Sequence, residues 1–400
     1  CDNLGMGLRK VMDDYLNRSP KDGSPSNDLS TETVQVDVYL NGSDPFDSVR
    51  QSLLRVGAKI ISEAPDYRHG VLCVSLPMGS VHAASEVNGV MSLALAQPSF
   101  TSGTFPTDAP YKAMRLALAN RVFTGRGVTV AVISDSFNAL RRASLDVSQG
   151  NLPGVGNPNG YNAEVIVASD VRYGYDEGRA MLQVVHGIAP EARLCVSDGT
   201  TGGIIGMARA IRRLAAAPCN ADIIVDDVGA YENPYLTGVS QAAVNDVTSQ
   251  GVLYVSAASN RRRFTREFPL TLVPASSSLI PALLSRVPGV IDWARFPTEL
   301  RPYSLANNFL VSANAGDYVL TVNVYWNQDL GKVYDDLDVY LFSDNGTPVA
   351  NSTDDNFGTG LASERLNMPV GFRGYLAIGR SATRQKPFPY PDIRIWLVPI

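Results

Sequence analysis

The sequence predicts an α/β protein built on a doubly wound parallel sheet, with a ferredoxin-like α+β module before it and a β-sandwich after it. Three observations carry that reading. From about 110 to 260, nearly continuous apolar runs alternate with segments of helical period. Strands buried on both faces of a parallel sheet read that way, and the alternation is that of βαβ units. Ahead of it, 33–98 follows the order strand, helix, strand, strand, helix, strand, as in a split-βαβ domain. From about 300 onward the strands become short and alternating, with "DNG" at 344–346 as a hairpin turn.

In chain order, residues 1–32 mix charge with Ser, Pro, Asp and Asn, which reads as a short helix followed by a flexible lead-in. In 33–98, "VQVDVYL" alternates like a half-buried strand, and "DPFDSVRQSLLRVG" starts on Asp and stops at Gly like a helix. "KIISEAPDYRHGVLCVSLP" supplies two strands, "GSVHAASEVNGV" a helix and "MSLALAQP" the last strand. The main domain is placed at 110–265. Its strands are "GVTVAVISDS", "AEVIVAS", "ARLCVSD", "ADIIVDDVG" and "VLYVSAASN"; its helices are "DEGRAMLQVVHG", "GGIIGMARAIRRLAAA" and "GVSQAAVNDVTSQG". Residues 266–299, rich in Pro and Leu, read as a connector, and 300–400 as the β-sandwich.

Composition narrows the function classes. The chain has 400 residues, 45% of them hydrophobic and 18% charged, enough for two or three cores. A formal net charge of -5 gives no basis for a nucleic-acid partner. No apolar run is long enough for a transmembrane segment. Cys1, Cys73, Cys195 and Cys219 lack metal-ligand spacing, and Cys73 and Cys195 sit in apolar runs as core residues. Cys1 at the first position fits a processed, lipidated end of a secreted or cell-surface protein, or a boundary of the fragment. Asn17, Asn41, Asn345 and Asn351 open glycosylation sequons, informative only in a secreted eukaryotic protein.

Ligands of open parallel sheets bind at the carboxyl ends of the strands. Asp135 ends one such strand, Asn260 ends another, and Glu177 opens a helix. Two carboxylates that relay a proton and an amide that donates to an oxyanion would make an acyl-transfer site. Each has a plainer reading: a polar strand end, a carboxylate complementing a helix dipole, a loop amide.

At these residues the chain resembles the subtilisin-like serine peptidases. "GRGVTVAVISDSFN" looks like their aspartate motif, and "SQGVLYVSAASN" like their oxyanion-asparagine motif, with Ser259 where Gly is usual. "DEGRAMLQVVHGIAPEARL" aligns with the catalytic-histidine helix, but Glu177 stands at the histidine position. Glutamate there is similar to the sedolisins and to a bacterial branch of subtilases that carries "DEGRAM" and "IIVDDVG". Sedolisins place a second acid one turn later, where this chain has Met181, so the resemblance implies Asp135 as the acid partner. It also implies that 33–98 is a prodomain-like module. The family's Gly-Thr-Ser nucleophile segment has no match after Asn260, and "PASSSLIP" at 274–281 is not followed by a helix of small residues. Either another segment supplies the serine, or the protein is a relative without peptidase chemistry.

Two further groups bear on the chemistry. Asp226 and Asp227 end a central strand and could join Asp135 and Glu177 in a buried carboxylate cluster, which would hold a proton and work in acid. His186, near the end of the Glu177 helix, reads as a dipole partner rather than a base. Asp335, Asp336, Asp338, Asp354, Asp355 and Glu364 are calcium candidates, or ordinary turn and edge-strand acids. The expected function is that of a subtilisin-like serine endopeptidase scaffold of Asp-Glu-Ser type acting on polypeptide. The rival is an inactive pseudopeptidase with a structural or adhesive surface role. The expected partner is a second chain or an identical subunit that covers the face of the missing helix.

Overall fold

The computed structural model describes residues 3–16, 32–96, 100–101, 123–229, 232–258, 265–297, 309–315, 320–383 and 392–399. It is a mixed α/β structure with one parallel sheet and several antiparallel ones. The N-terminal strands are β1 (Leu4–Gly5), β2 (Thr33–Leu40), β3 (Lys59–Ala64), β4 (Val71–Pro77) and β5 (Val90–Leu95). Helices α1 (Leu8–Leu16), α2 (Phe46–Arg55) and α3 (Val81–Ser85) lie among them. The sheet order is β1-β5-β2-β4-β3, antiparallel except where β1 joins β5. Strand alternation sorts the residues: Val34, Val36, Val38 and Leu40 of β2 enter the module's own core with Val49 and Leu53 of α2.

The other face of this sheet is also buried. Ala64, Tyr67, Val71 and Cys73 share one apolar core with the helices α6 (Gly203–Ala215) and α7 (Val239–Ser249) of the next unit. Gly202 marks the closeness of that approach, because a Cβ there would stand 2.8 Å from Ser62 Cβ. A short strand β6 (Phe100–Thr101) follows the module.

The parallel sheet consists of β7 (Thr129–Ser134), β8 (Ile166–Ser169), β9 (Arg193–Asp198), β10 (Ile223–Asp226) and β12 (Leu253–Ser256), in the order β12-β10-β7-β9-β8. A two-residue strand β11 (Val228–Gly229) follows β10. Helix α4 (Ala143–Ser148) lies after β7, and α5 (Glu177–Ile188) packs on β7 and β9. Helices α6 and α7 cover the opposite face. The chain leaves β7 toward β9 and β8 and returns to the other side of β7 at β10. The topological switch point therefore lies between the carboxyl ends of β7 and β10, where a crevice opens.

Residues 266–299, expected as a connector, contribute three short strands to the C-terminal sheets. Strand β13 (Thr265–Pro269) pairs with β22 (Asp392–Pro399), and β14 (Thr271–Pro274) pairs with β15 (Asp292–Arg295), which continues onto β21 (Arg373–Thr383). The Pro residues that suggested a linker end these short strands at Pro269 and Pro274, an ordinary place for a residue without an N–H. The remaining strands are β16 (Val311–Asn314), β17 (Leu320–Trp326), β18 (Asp335–Ser343), β19 (Pro348–Ser352) and β20 (Ser363–Met368), with a one-turn helix α8 (Asn356–Thr359). Two antiparallel sheets result, β13-β22-β17-β20 and one in which β21 and β18 are central. Val322, Val324 and Leu366 of the first share a core with Val339, Leu341 and Ile378 of the second.

Cys195 on β9 and Cys219, after α6, form a disulfide with Cα atoms 5.9 Å apart and a sequence separation of 24. Spacing alone gave no sign of this bond; the βαβ geometry brings the two together. Cross-linking a loop of that length restricts the unfolded chain by roughly 3 kcal/mol. We expect Cys219→Ser to lower the midpoint of thermal unfolding under non-reducing conditions, with little change when wild type and variant are compared after reduction. Calorimetry with and without reductant checks this.

Candidate functional site

The switch-point crevice gathers three of the carboxylates singled out in the sequence. Asp135 follows β7, Asp227 follows β10, and Glu177 is the first residue of α5. Asp135 is buried, and both its oxygens accept backbone N–H groups: Oδ1 from Glu177 at 2.9 Å and Oδ2 from Tyr175 at 2.5 Å. Asp135 thus fixes the turn from which Glu177 projects.

That turn needs particular residues. Asp176 adopts the left-handed conformation, with φ 59°. Its N–H donates to Ser136 Oγ at 2.8 Å. Its carboxylate accepts from the N–H groups of Ala139 (2.7 Å) and Leu140 (3.1 Å) and pairs with Arg179. Arg179 also binds Asp146 at 2.8 Å and the Phe137 carbonyl at 2.8 Å. Gly178 allows the helix to lie against this loop, because a Cβ there would stand 2.8 Å from the Ser136 carbonyl oxygen. The "DEGRAM" segment is therefore a lock between the helix start and the loop after β7, in which Asp176, Gly178 and Arg179 hold Glu177 in place.

Asp227 is the group that faces Glu177. Neither of its carboxylate oxygens has a well-aligned hydrogen bond among the described residues, and the same is true of Glu177 Oε1. Burial pushes the Asp227 carboxyl up to about 7; the neighbouring Glu177 charge pushes in the same direction, while Ser134 pulls it down. Like charges held close and poorly solvated cannot both ionise cheaply, which is why Asp227 keeps its proton well above the ordinary carboxylate range. Asp226 points to the other side of the sheet and accepts from Ser256 Oγ at 3.0 Å; burial raises its carboxyl too.

The carboxylate partner of Glu177 thus differs from the expected one. Asp135 holds the backbone of Glu177, and Asp227 faces its side chain. Met181, at the position of the sedolisin acid, is a core residue of α5. Asn260 and Ser259 lie outside the described residues. His186 stands in the last turn of α5, as expected of a dipole partner, but it is buried, edge-on against Tyr161 at 5.3 Å, and burial lowers its basicity.

Immediately after Asp227, β11 pairs antiparallel with β6, Val228 opposite Thr101 and Gly229 opposite Phe100. The two-residue strand Phe100–Thr101 therefore lies extended next to the end of β10 that carries Asp227. Periodicity gave no signal for so short a pairing.

The carboxylates considered for calcium have protein partners. Asp335 binds Arg380 at 3.0 Å, Asp336 accepts from Asn356 N–H at 3.0 Å, and Asp355 caps α8 at Phe357 N–H. Asp338 accepts from Tyr340 Oη at 2.8 Å, Asp354 from Gly7 N–H at 3.0 Å, and Glu364 from Asn356 Nδ2 at 2.8 Å. Among the described residues no group of three such side chains is arranged to hold a metal ion. Among them, too, no helix is long and apolar enough to cross a membrane.

No protein-family model matches the chain, and no curated protein matches it. Among solved structures it is similar to a serine-to-alanine variant of the epidermin leader peptide processing serine protease (EpiP) from Staphylococcus aureus. The TM-score is 0.40 and the identity 13%, over 58% of this chain and 64% of that one. A likeness of that degree fixes neither family nor activity.

Proposed function

We propose that this chain is the acid–base part of a subtilisin-like endopeptidase, with Glu177 as general base toward a serine carried on a segment outside this sequence. The observation that supports the reading is the Glu177–Asp227 pair in the switch-point crevice, on a turn fixed by Asp135. Glu177 takes the proton of the attacking hydroxyl and returns it to the leaving amine. Asp135 acts as the positioning residue, Asp227 holds the shared proton, and Asn260 serves the oxyanion. The module of 33–98 is prodomain-like, and the strand at Phe100–Thr101 occupies the place of a substrate main chain. The C-terminal sheets form a β-sandwich domain. The Cys195–Cys219 disulfide supports a secreted or cell-surface location. The rival reading is a pseudopeptidase in a surface assembly.

Asp227→Asn tests the pair. An acid whose carboxyl is raised in the folded state supports the fold below the ordinary value of 3.8 and loses that support as pH climbs through about 7. Asn does not titrate. We expect the variant to match wild type near pH 4 and to exceed it by about 2 kcal/mol at pH 8, a figure discounted for solvent screening. Peptide hydrolysis by the chain assembled with its serine-bearing segment should fall in the same variant. Denaturant titrations at the two pH values check the first expectation; a variant that is no more stable at pH 8 sinks the pair.

A further inference from the structure

The seam between the N-terminal module and the rest of the molecule buries a carboxyl group that has no cation beside it among the described residues. Val36 and Val38 of β2 face the module's own core, so Asp37 and Tyr39 between and after them face outward, into the seam. Asp37 is only 5% exposed. Its Oδ1 has no well-aligned hydrogen bond among the described residues. The Cys73 thiol, directly across on β4, donates to the carboxyl.

A cavity of about 90 Å³ lies at this seam. Asp37 and Tyr39 line it from β2, Tyr67 from the loop before β4, Ile204 from α6, and Tyr325 from β17. Glu232 faces Asp37 from the loop before α7, where Ser240 N–H donates to its carboxylate at 3.2 Å. Among the described residues no Lys, Arg or His lines the cavity. Arg68, the nearby cation, lies over the Tyr67 ring at 5.7 Å from its centroid.

We propose that this seam is a pH-dependent latch: the module docks with Asp37 neutral, so acid holds it closed and rising pH loosens it. The inference is independent of the catalytic reading, since it needs only a buried, cation-free carboxyl between two packed units. Burial is the main cause that raises Asp37, from 3.8 to about 7. The Cys73 bond opposes that shift, and the Glu232 charge adds to it. Glu232 is itself raised by burial, against the pull of the Ser240, Val239 and Gln241 donors. Tyr39 and Tyr67 are raised as well, so they stay neutral over the range that matters.

The sign follows from which state holds the proton. The docked state binds a proton on Asp37 that the undocked state gives up at the ordinary carboxylate value. Docking is therefore strongest below 3.8, weakens by about tenfold per pH unit above it, and stops weakening near 7. The whole change is on the order of a hundred- to a thousandfold.

Cys73 is fully buried in this seam, so its thiol reports opening. The experiment labels the full chain with 4,4′-dithiodipyridine from pH 4 to 8, locates the label at Cys73 by peptide mass mapping, and divides each rate by that of a free thiol at the same pH. The expected result is a normalised rate that climbs to about pH 7 and then levels, with a flat profile for Asp37→Asn. A flat wild-type profile, or an unchanged slope in Asp37→Asn, overturns the latch. If Asp37→Asn does not fold, Glu232→Gln decides: without the Glu232 charge Asp37 is raised less, so the climb should be smaller and level at a lower pH, and an unmoved profile overturns the proposal. Hydrogen exchange at the Val36 and Val38 amides separates undocking from unfolding. They should stay protected throughout, and exchange with the same pH slope as Cys73 labelling counts against docking as the event.

Discussion

The 400-residue chain alone is expected to take up no fluorophosphonate at any serine, and to show no peptide hydrolysis. Among the described residues, the serines of the strand ends and turn that carry these carboxylates are already committed or sealed. Ser136 Oγ accepts from Asp176 N–H at 2.8 Å and lies 3.2 Å from both Asp135 Oδ1 and Asp176 Oδ1. Ser134 is 1% exposed, out of reach of the probe. Ser256 donates to Asp226. A base and a positioned turn without a nucleophile retain little catalysis; in subtilisin, which supplies this magnitude, loss of the serine costs about a million-fold in kcat. Adding a polypeptide that carries a Gly-Thr-Ser segment should restore labelling at that serine, and Glu177→Gln should then abolish it. Specific labelling of the chain alone would place the nucleophile within these residues and end the proposal as stated.

The elements of the site were legible in the sequence, but their partnerships were not. A buried parallel strand announces itself as an unbroken apolar run, so the ends at Asp135 and Asp226 were readable. The glycine stop of α2 and the acidic starts of α2 and α5 were readable for the same local reason, whereas α5 runs through Gly187 to Ile188. Which carboxylate faces Glu177 depends on β10 lying beside β7, a fact of strand order that no local pattern carries. The resemblance pointed to Asp135, whose oxygens turn out to be taken by the backbone of Tyr175 and Glu177. His186 misled in another way: its place in the last turn of α5 fits a dipole partner, but Tyr161 from a distant loop covers it. Asp37 drew no notice because an acid in an alternating strand reads as solvent-facing. Only the docking of the module's second face makes it a buried charge.

The largest structural effect should appear in solution as association. The face of the parallel sheet that carries α5 is covered over β7 and β9, where Val130, Val132 and Leu194 pack with Leu182 of the helix. Over β10 and β12 the cover runs out: Ile223 and Val225 are half-buried, while Leu253 is 57% and Val255 44% exposed. Among the described residues β12 is also the edge of the sheet, with β10 as its neighbour. Parallel strands are stable when both faces are covered, and an open edge presents unpaired backbone groups. An uncovered apolar face of roughly 300 Å² is at the limit of what isolated soluble proteins show. At about 25 cal/mol per Å², covering it would contribute on the order of 7 kcal/mol. A strand laid parallel on β12, followed by an apolar helix across β10, would satisfy both the edge and the face. We therefore expect the chain to sediment as a complex, with a polypeptide that supplies this strand and helix or with a second copy of itself. Asp substituted for Leu253 or Val255 should weaken that complex by tenfold or more. A well-folded monomer at micromolar concentration in the ultracentrifuge, with no partner in the preparation, would show that this face needs no cover.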